Sequence, residues 1–122
     1  MNKRQALFWS YQLWSIINQT GTMHKSFAIR NLKKRFGSSK IDLEEIFGYD
    51  ECSCCVYVQV SRVHCSYCPG FSIWKHLRKR STPCIMQNSP FRKWETNIDR
   101  RYNAKIIADG FRKLWLEECQ KS

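Results

Sequence analysis

Two closely spaced cysteine pairs constrain this chain more than anything else in it. Cys52-Ser53-Cys54-Cys55 is followed after nine residues by Cys65-Ser66-Tyr67-Cys68-Pro69-Gly70, and six of the seven cysteines fall between positions 52 and 84. Zinc takes four ligands tetrahedrally, and a Cys-x-x-Cys pair wraps one edge of that tetrahedron from a tight turn. The spacing therefore predicts a four-thiolate zinc site with Cys52, Cys55, Cys65 and Cys68 as ligands. Cys54 competes with Cys55, Cys84 is an alternate ligand, a thiol behind the site or simply a core residue, and His64 stands next to a ligand. Between the pairs, Val56-Tyr57-Val58-Gln59-Val60 alternates and is β-branched, Ser61-Arg62 turns it, and Val63-His64 leads back. That pattern predicts a hairpin over 49–70 with one cysteine pair at each base. The competing readings are buried free thiols and a redox pair, but a redox Cys-x-x-Cys wants a βαβ setting that this pattern lacks.

A metal centre suits the rest of the composition. A chain of 122 residues, 43% hydrophobic with 5 Trp, 5 Tyr and 7 Phe, supports one domain with a modest core. A core of that size leaves a thin stability margin, which a structural metal widens. Seven cysteines is an odd count for a secreted disulfide framework. The basic, then apolar start Met1-Asn2-Lys3-Arg4-Gln5-Ala6-Leu7-Phe8-Trp9 is broken by Ser10, Gln12 and Ser15, so no signal peptide is expected there. Reduced thiolates on zinc in a cytoplasm follow. No apolar run approaches the roughly 20 residues that span a bilayer, and no membrane association is expected.

Along the chain, residues 4–19 are expected to be helical. Ala6, Trp9, Leu13, Ile16 and Ile17 form the buried stripe, Phe8, Tyr11 and Trp14 widen it, and Gly21 ends the helix. A second helix is expected over Lys25–Phe36, burying Phe27, Ala28, Ile29, Leu32 and Phe36 and exposing Lys25, Arg30, Lys33, Lys34 and Arg35. Two helices, a glycine turn and a basic second helix also allow a helix-turn-helix reading, against that of a solvated amphipathic face. Residues 39–48 add a short acidic helical turn with Asp42, Glu44 and Glu45 near its start. The segment 71–96 is expected to be a basic loop, with turns at Ser81-Thr82-Pro83 and Asn88-Ser89-Pro90. A last helix is expected over 97–119, with Ile98, Tyr102, Ala104, Ile106, Ile107, Ala108, Phe111, Leu114 and Trp115 at helical spacing. The fold class is then mainly α, one domain over 1–122: N-terminal helices (1–48), a zinc-bound β-hairpin of knuckle or ribbon type (49–70), the basic loop and a long C-terminal helix.

Charge points to the partner. With 21 Lys+Arg against 10 Asp+Glu, the chain carries a formal charge of +11 and a pI near 9.6. Such a field favours polyanions or a protein with an acidic face, while the bland alternative is charge that only keeps the chain soluble. From Phe71 to Lys93 there is no carboxylate, and Lys75, Arg78, Lys79, Arg80, Arg92 and Lys93 stand there beside Phe71, Ile73, Trp74 and Leu77. Cations interleaved with aromatics suit phosphate contact plus base stacking.

From Tyr49 onward the chain resembles a family of small bacteriophage proteins. The features that carry the resemblance are Cys52/Cys55 with Tyr57, Cys65/Cys68/Pro69, and Cys84. Beyond them come Ser89-Pro90-Phe91-Arg92-Lys93-Trp94 and Ala104-Lys105-Ile106-Ile107-Ala108, and the Trp-bearing first helix is similar too. The cysteine motif is common, and its combination with Ser-Pro-Phe-x-x-Trp is the specific part. The resemblance implies a phage origin and a zinc finger acting in an infected bacterial cytoplasm.

No enzyme can be assembled from these residues. Four thiolates close the zinc, whereas a hydrolase keeps one position open. His24, His64 and His76 are dispersed, and no carboxylate cluster offers two-metal chemistry. A His-Asn-His endonuclease through His64 and Asn88 is the weakest reading. The expected function is non-enzymatic nucleic-acid binding around a structural zinc. The alternative is a phage effector docking on an acidic surface of a host polymerase, nuclease or defence complex. No small-molecule substrate is expected.

Overall fold

A computed structural model of the chain describes residues 2–22, 24–36, 90–97 and 99–121. These residues are 88% helical with no strand among them, in keeping with a mainly α chain. They form α1 (Lys3–Thr20), α2 (Lys25–Phe36), α3 (Pro90–Glu95) and α4 (Arg100–Gln120). The expected acidic turn at 39–48, the hairpin at 49–70 and positions 71–89 of the basic loop lie outside the described residues.

The start and stop of α1 are set by local chemistry. Asn2 Oδ1 accepts from the Gln5 N–H at 2.8 Å, and the Asn2 N–H donates back to Gln5 Oε1 at 2.9 Å. This capping box satisfies two of the amide groups that a helix start leaves unpaired. At the other end Gly21 takes φ 68° and donates its N–H to Ile17 O at 2.9 Å. Any other residue pays for that left-handed backbone. A Cβ placed on Gly21 would also come within 2.7 Å of Arg101 Nε on α4.

The expected stripe Ala6, Trp9, Leu13, Ile16 and Ile17 is buried, and so are Leu7, Ser10 and Trp14. Phe8 and Tyr11 are half-buried against the same core. Apolar cover on nearly all sides makes α1 the central helix of the described residues.

The helix α4 runs antiparallel to α1. Lys3 Nζ reaches Glu118 Oε2 at 3.5 Å at one end, and Arg101 lies against Gly21 at the other. It buries Ala104, Ile107, Ala108 and Phe111, the i, i+3, i+4, i+7 face of a helix on a core. Tyr102 departs from the expected stripe and is 66% exposed, because it lies about 200° around the helix from Ala104. The helix also starts later than expected. Asn97 (φ 65°) and Asp99 (φ 45°) are both left-handed, which Asn and Asp tolerate, and regular helix begins only at Arg100. Ile98, expected in this stripe, lies outside the described residues.

The bounds expected for α2 hold, and Ala28, Ile29 and Leu32 are buried. Its stripe is narrower than periodicity suggests, with Phe27 42% and Phe36 38% exposed. Phe36 nevertheless packs edge-on against Trp9 and Phe8, with ring centroids 5.2 and 6.0 Å apart. The end of α2 therefore lies beside the first turns of α1.

The segment expected as loop over 71–96 contains α3. Pro90 opens it, where a missing N–H costs nothing and a fixed φ favours the helix. Thr96 closes it, donating N–H and Oγ1 to Arg92 O at 2.9 and 2.8 Å. Trp94 is buried edge-on against Trp14, with ring centroids 4.9 Å apart, while Phe91 meets Trp14 at 6.0 Å. Trp94 Nε1 is buried without a hydrogen-bond partner among the described residues, and the indole is held by packing against aromatic rings. Trp14, expected to widen the stripe of α1, is the side chain that anchors α3.

Candidate functional site

The predicted metal ligands Cys52, Cys55, Cys65 and Cys68, with Cys54, Cys84 and His64, lie outside the described residues. So do Lys75, Arg78, Lys79 and Arg80 of the predicted polyanion-binding set. Cys119 is half-buried in the last turn of α4. Among the described residues no group of three or more His, Cys, Asp or Glu stands close enough to hold a metal ion.

The structure places the last two members of the predicted set, Arg92 and Lys93, on α3. Both are half-buried, and Arg92 reaches Glu95 Oε1 at 2.6 Å. The neighbouring carboxylate offsets the charge that this guanidinium offers a phosphate. Arg92 is therefore a weaker contact than sequence position alone suggests.

Most of the charge lies on the helices instead. The described residues hold 15 of the 21 Lys+Arg but only 5 of the 10 Asp+Glu. Ion pairs among them join Lys3 and Lys121 to Glu118, Arg92 to Glu95, and Lys105 to Asp109. Exposed pairs of this kind contribute about 0–1 kcal/mol each and leave the surrounding field strongly positive.

The five cations of α2 divide by position. Lys25 turns inward: its ammonium sits 4.6 Å from the Phe91 ring centroid and 5.8 Å from that of Trp14. This cation–π contact ties α2 to α1 and α3. Lys33 is half-buried, whereas Arg30, Lys34 and Arg35 are exposed and α2 contains no carboxylate. Arg30 and Lys34 stand one turn apart on the same face, about 6 Å along the axis. Phe27 lies on that face three residues before Arg30, and Asn31 Nδ2 donates to its carbonyl at 3.0 Å.

Helix dipoles account for only part of this arrangement. Lys33, Lys34 and Arg35 in the last turn of α2 complement the negative helix end, worth about 0.3–1 kcal/mol each. The starts of α1 and α4 do the opposite. Lys3-Arg4 and Arg100-Arg101 stand in first turns that hold no acidic residue, where the dipole disfavours cations. Arg100 meets part of that cost by donating Nε to Trp94 O at 3.0 Å.

Among the described residues no helix is long and apolar enough to cross a membrane. Comparison with protein-family models, curated proteins and solved structures finds no match to this chain.

Proposed function

We propose that this chain binds nucleic acid without catalysing a reaction, and that a structural zinc on Cys52, Cys55, Cys65 and Cys68 orders the segment between α2 and α3. The observation that carries the reading is an excess of positive charge that the ion pairs among the described residues do not balance. Cations head α1 and α4 against the helix dipoles, and the described residues carry three times as many basic as acidic residues. A partner with dense negative charge offsets the cost of that crowding, and a phosphate backbone is the densest available. Lys75, Arg78, Lys79 and Arg80 add to the same surface in this reading, with Lys93 beside them. The zinc is closed and structural, so it fixes backbone and supplies no reaction. In this reading, which follows the resemblance to small phage proteins, the chain acts in a phage-infected bacterial cytoplasm.

Affinity capture of the tagged chain from cells, with and without nuclease, tests the reading. Nucleic acid should co-elute at low salt and disappear after nuclease treatment, leaving the chain alone. A stoichiometric host protein that survives the nuclease contradicts the reading and favours docking on an acidic protein surface.

A further inference from the structure

We infer that the outward face of α2, with Arg30 and Lys34 at its centre and Arg35 and Phe27 flanking, is a phosphate-contacting surface for nucleic acid. The inference rests on the nucleic-acid reading above and assigns part of that binding to one helix. In sequence this face looks the same as a merely solvated one, and position in the fold distinguishes the two. Lys25 is held over Phe91 and Trp14, and the Arg92 charge is paired with Glu95. Arg30, Lys34 and Arg35 are exposed on a helix without carboxylates, and no ion pair among the described residues neutralises them.

A lipid surface would fit a basic helix only if its apolar face were free to enter the bilayer boundary. Here Ala28, Ile29 and Leu32 are buried in the protein, and the outward face keeps a single aromatic, Phe27, among polar groups. That composition suits a charged backbone with one ring for stacking or packing on a sugar. Twelve residues of helix extend about 18 Å, while duplex DNA presents one phosphate charge for about every 1.7 Å of its axis. Flexible Arg and Lys stems then reach separate phosphates without a unique register. Affinity that is largely independent of base sequence follows.

The test compares two double variants in the full-length chain: Arg30→Gln with Lys34→Gln on α2, and Arg112→Gln with Lys113→Gln on α4. Each removes two exposed cations, and none of the four side chains is buried. Affinity for a labelled DNA duplex is followed by fluorescence anisotropy across salt concentrations, with thermal melting as the control for folding. The α2 variant should flatten the slope of log K against log salt by about 1.8, and bind about 60-fold more weakly at about 0.1 M salt. The α4 variant should keep a slope close to that of the unsubstituted chain. Equal losses in both variants, or none in the α2 variant, overturn the assignment to α2 while leaving nucleic-acid binding intact. Failure of the unsubstituted chain to bind the duplex, with capture by phosphatidylserine vesicles instead, overturns the reading beneath it as well.

Discussion

Replacing Cys68 with serine should cost the chain its zinc, the largest single effect expected of any substitution. A serine hydroxyl is a poor substitute for thiolate, and three remaining ligands leave a structural zinc open to water and exchange. In zinc-finger peptides the metal contributes about 10–16 kcal/mol, nearly all of it as folding free energy. The unsubstituted protein should carry about one zinc per chain by elemental analysis, and Cys68→Ser or Cys55→Ser should carry none. Thiols titrated under native conditions should rise as the remaining ligands lose their metal. The helices have a core of their own around Leu13, Trp14, Leu32, Ile107 and Phe111. Much of the helical circular dichroism should therefore survive in the variant. A metal-free preparation with all its thiols protected would contradict the zinc assignment. Cys54→Ser and Cys84→Ser should each retain the metal if the ligand set is the four cysteines predicted, and a loss in either would reassign a ligand.

Trp14→Ala should produce the second largest effect, a loss of about 3–5 kcal/mol. Trp14 is almost fully buried, and three side chains from two other helices lean on it. Trp94 and Phe91 of α3 meet it edge-on, and the Lys25 ammonium of α2 faces its ring. Truncation removes the transfer energy of a large ring and leaves a cavity, and it also removes the ring of α1 on which Trp94 and Phe91 of α3 pack. Since small domains are stable by about 5–15 kcal/mol in total, the variant should melt far below the parent or fail to fold. Trp14→Phe should keep most of the packing and recover more than half of the loss. Chemical denaturation of all three proteins decides the matter, and a Trp14→Ala protein within about 1 kcal/mol of the parent would show that α3 is not anchored there.

The long helices were legible because burial writes a period of 3.6 into sequence, and α1 shows it without interruption from Ala6 to Ile17. Short or interrupted elements were not. Six residues of α3 are too few to show a period, and Ser89-Pro90 reads as a turn although Pro90 occupies a position that also opens helices. Asn97 and Asp99 delay α4 by a backbone choice that side-chain periodicity does not register. Phe27 and Phe36 looked buried because an amphipathic stripe states only that some neighbour exists. How wide a face the neighbour covers depends on packing, and α2 commits little more than Ala28, Ile29 and Leu32 to the core.

The candidate site divides in the same way. Thiolate spacing and the charge excess are chemical patterns and can be read directly from residue order. Which cations face outward is a matter of tertiary contact. Lys25 and Lys34 are equivalent in sequence, yet one is held over two aromatic rings and the other is exposed on a carboxylate-free helix.

The salt dependence of duplex binding by the purified, zinc-loaded chain tests the central claim most directly. Neutralised phosphates release counterions, so log K should fall linearly with log salt at about −0.9 per phosphate contacted. A slope of about −3 or steeper, meaning three or more phosphates engaged at once, is the predicted result. Absence of binding at about 50 mM salt, where this electrostatic term is strong, or a slope near zero, would contradict the account.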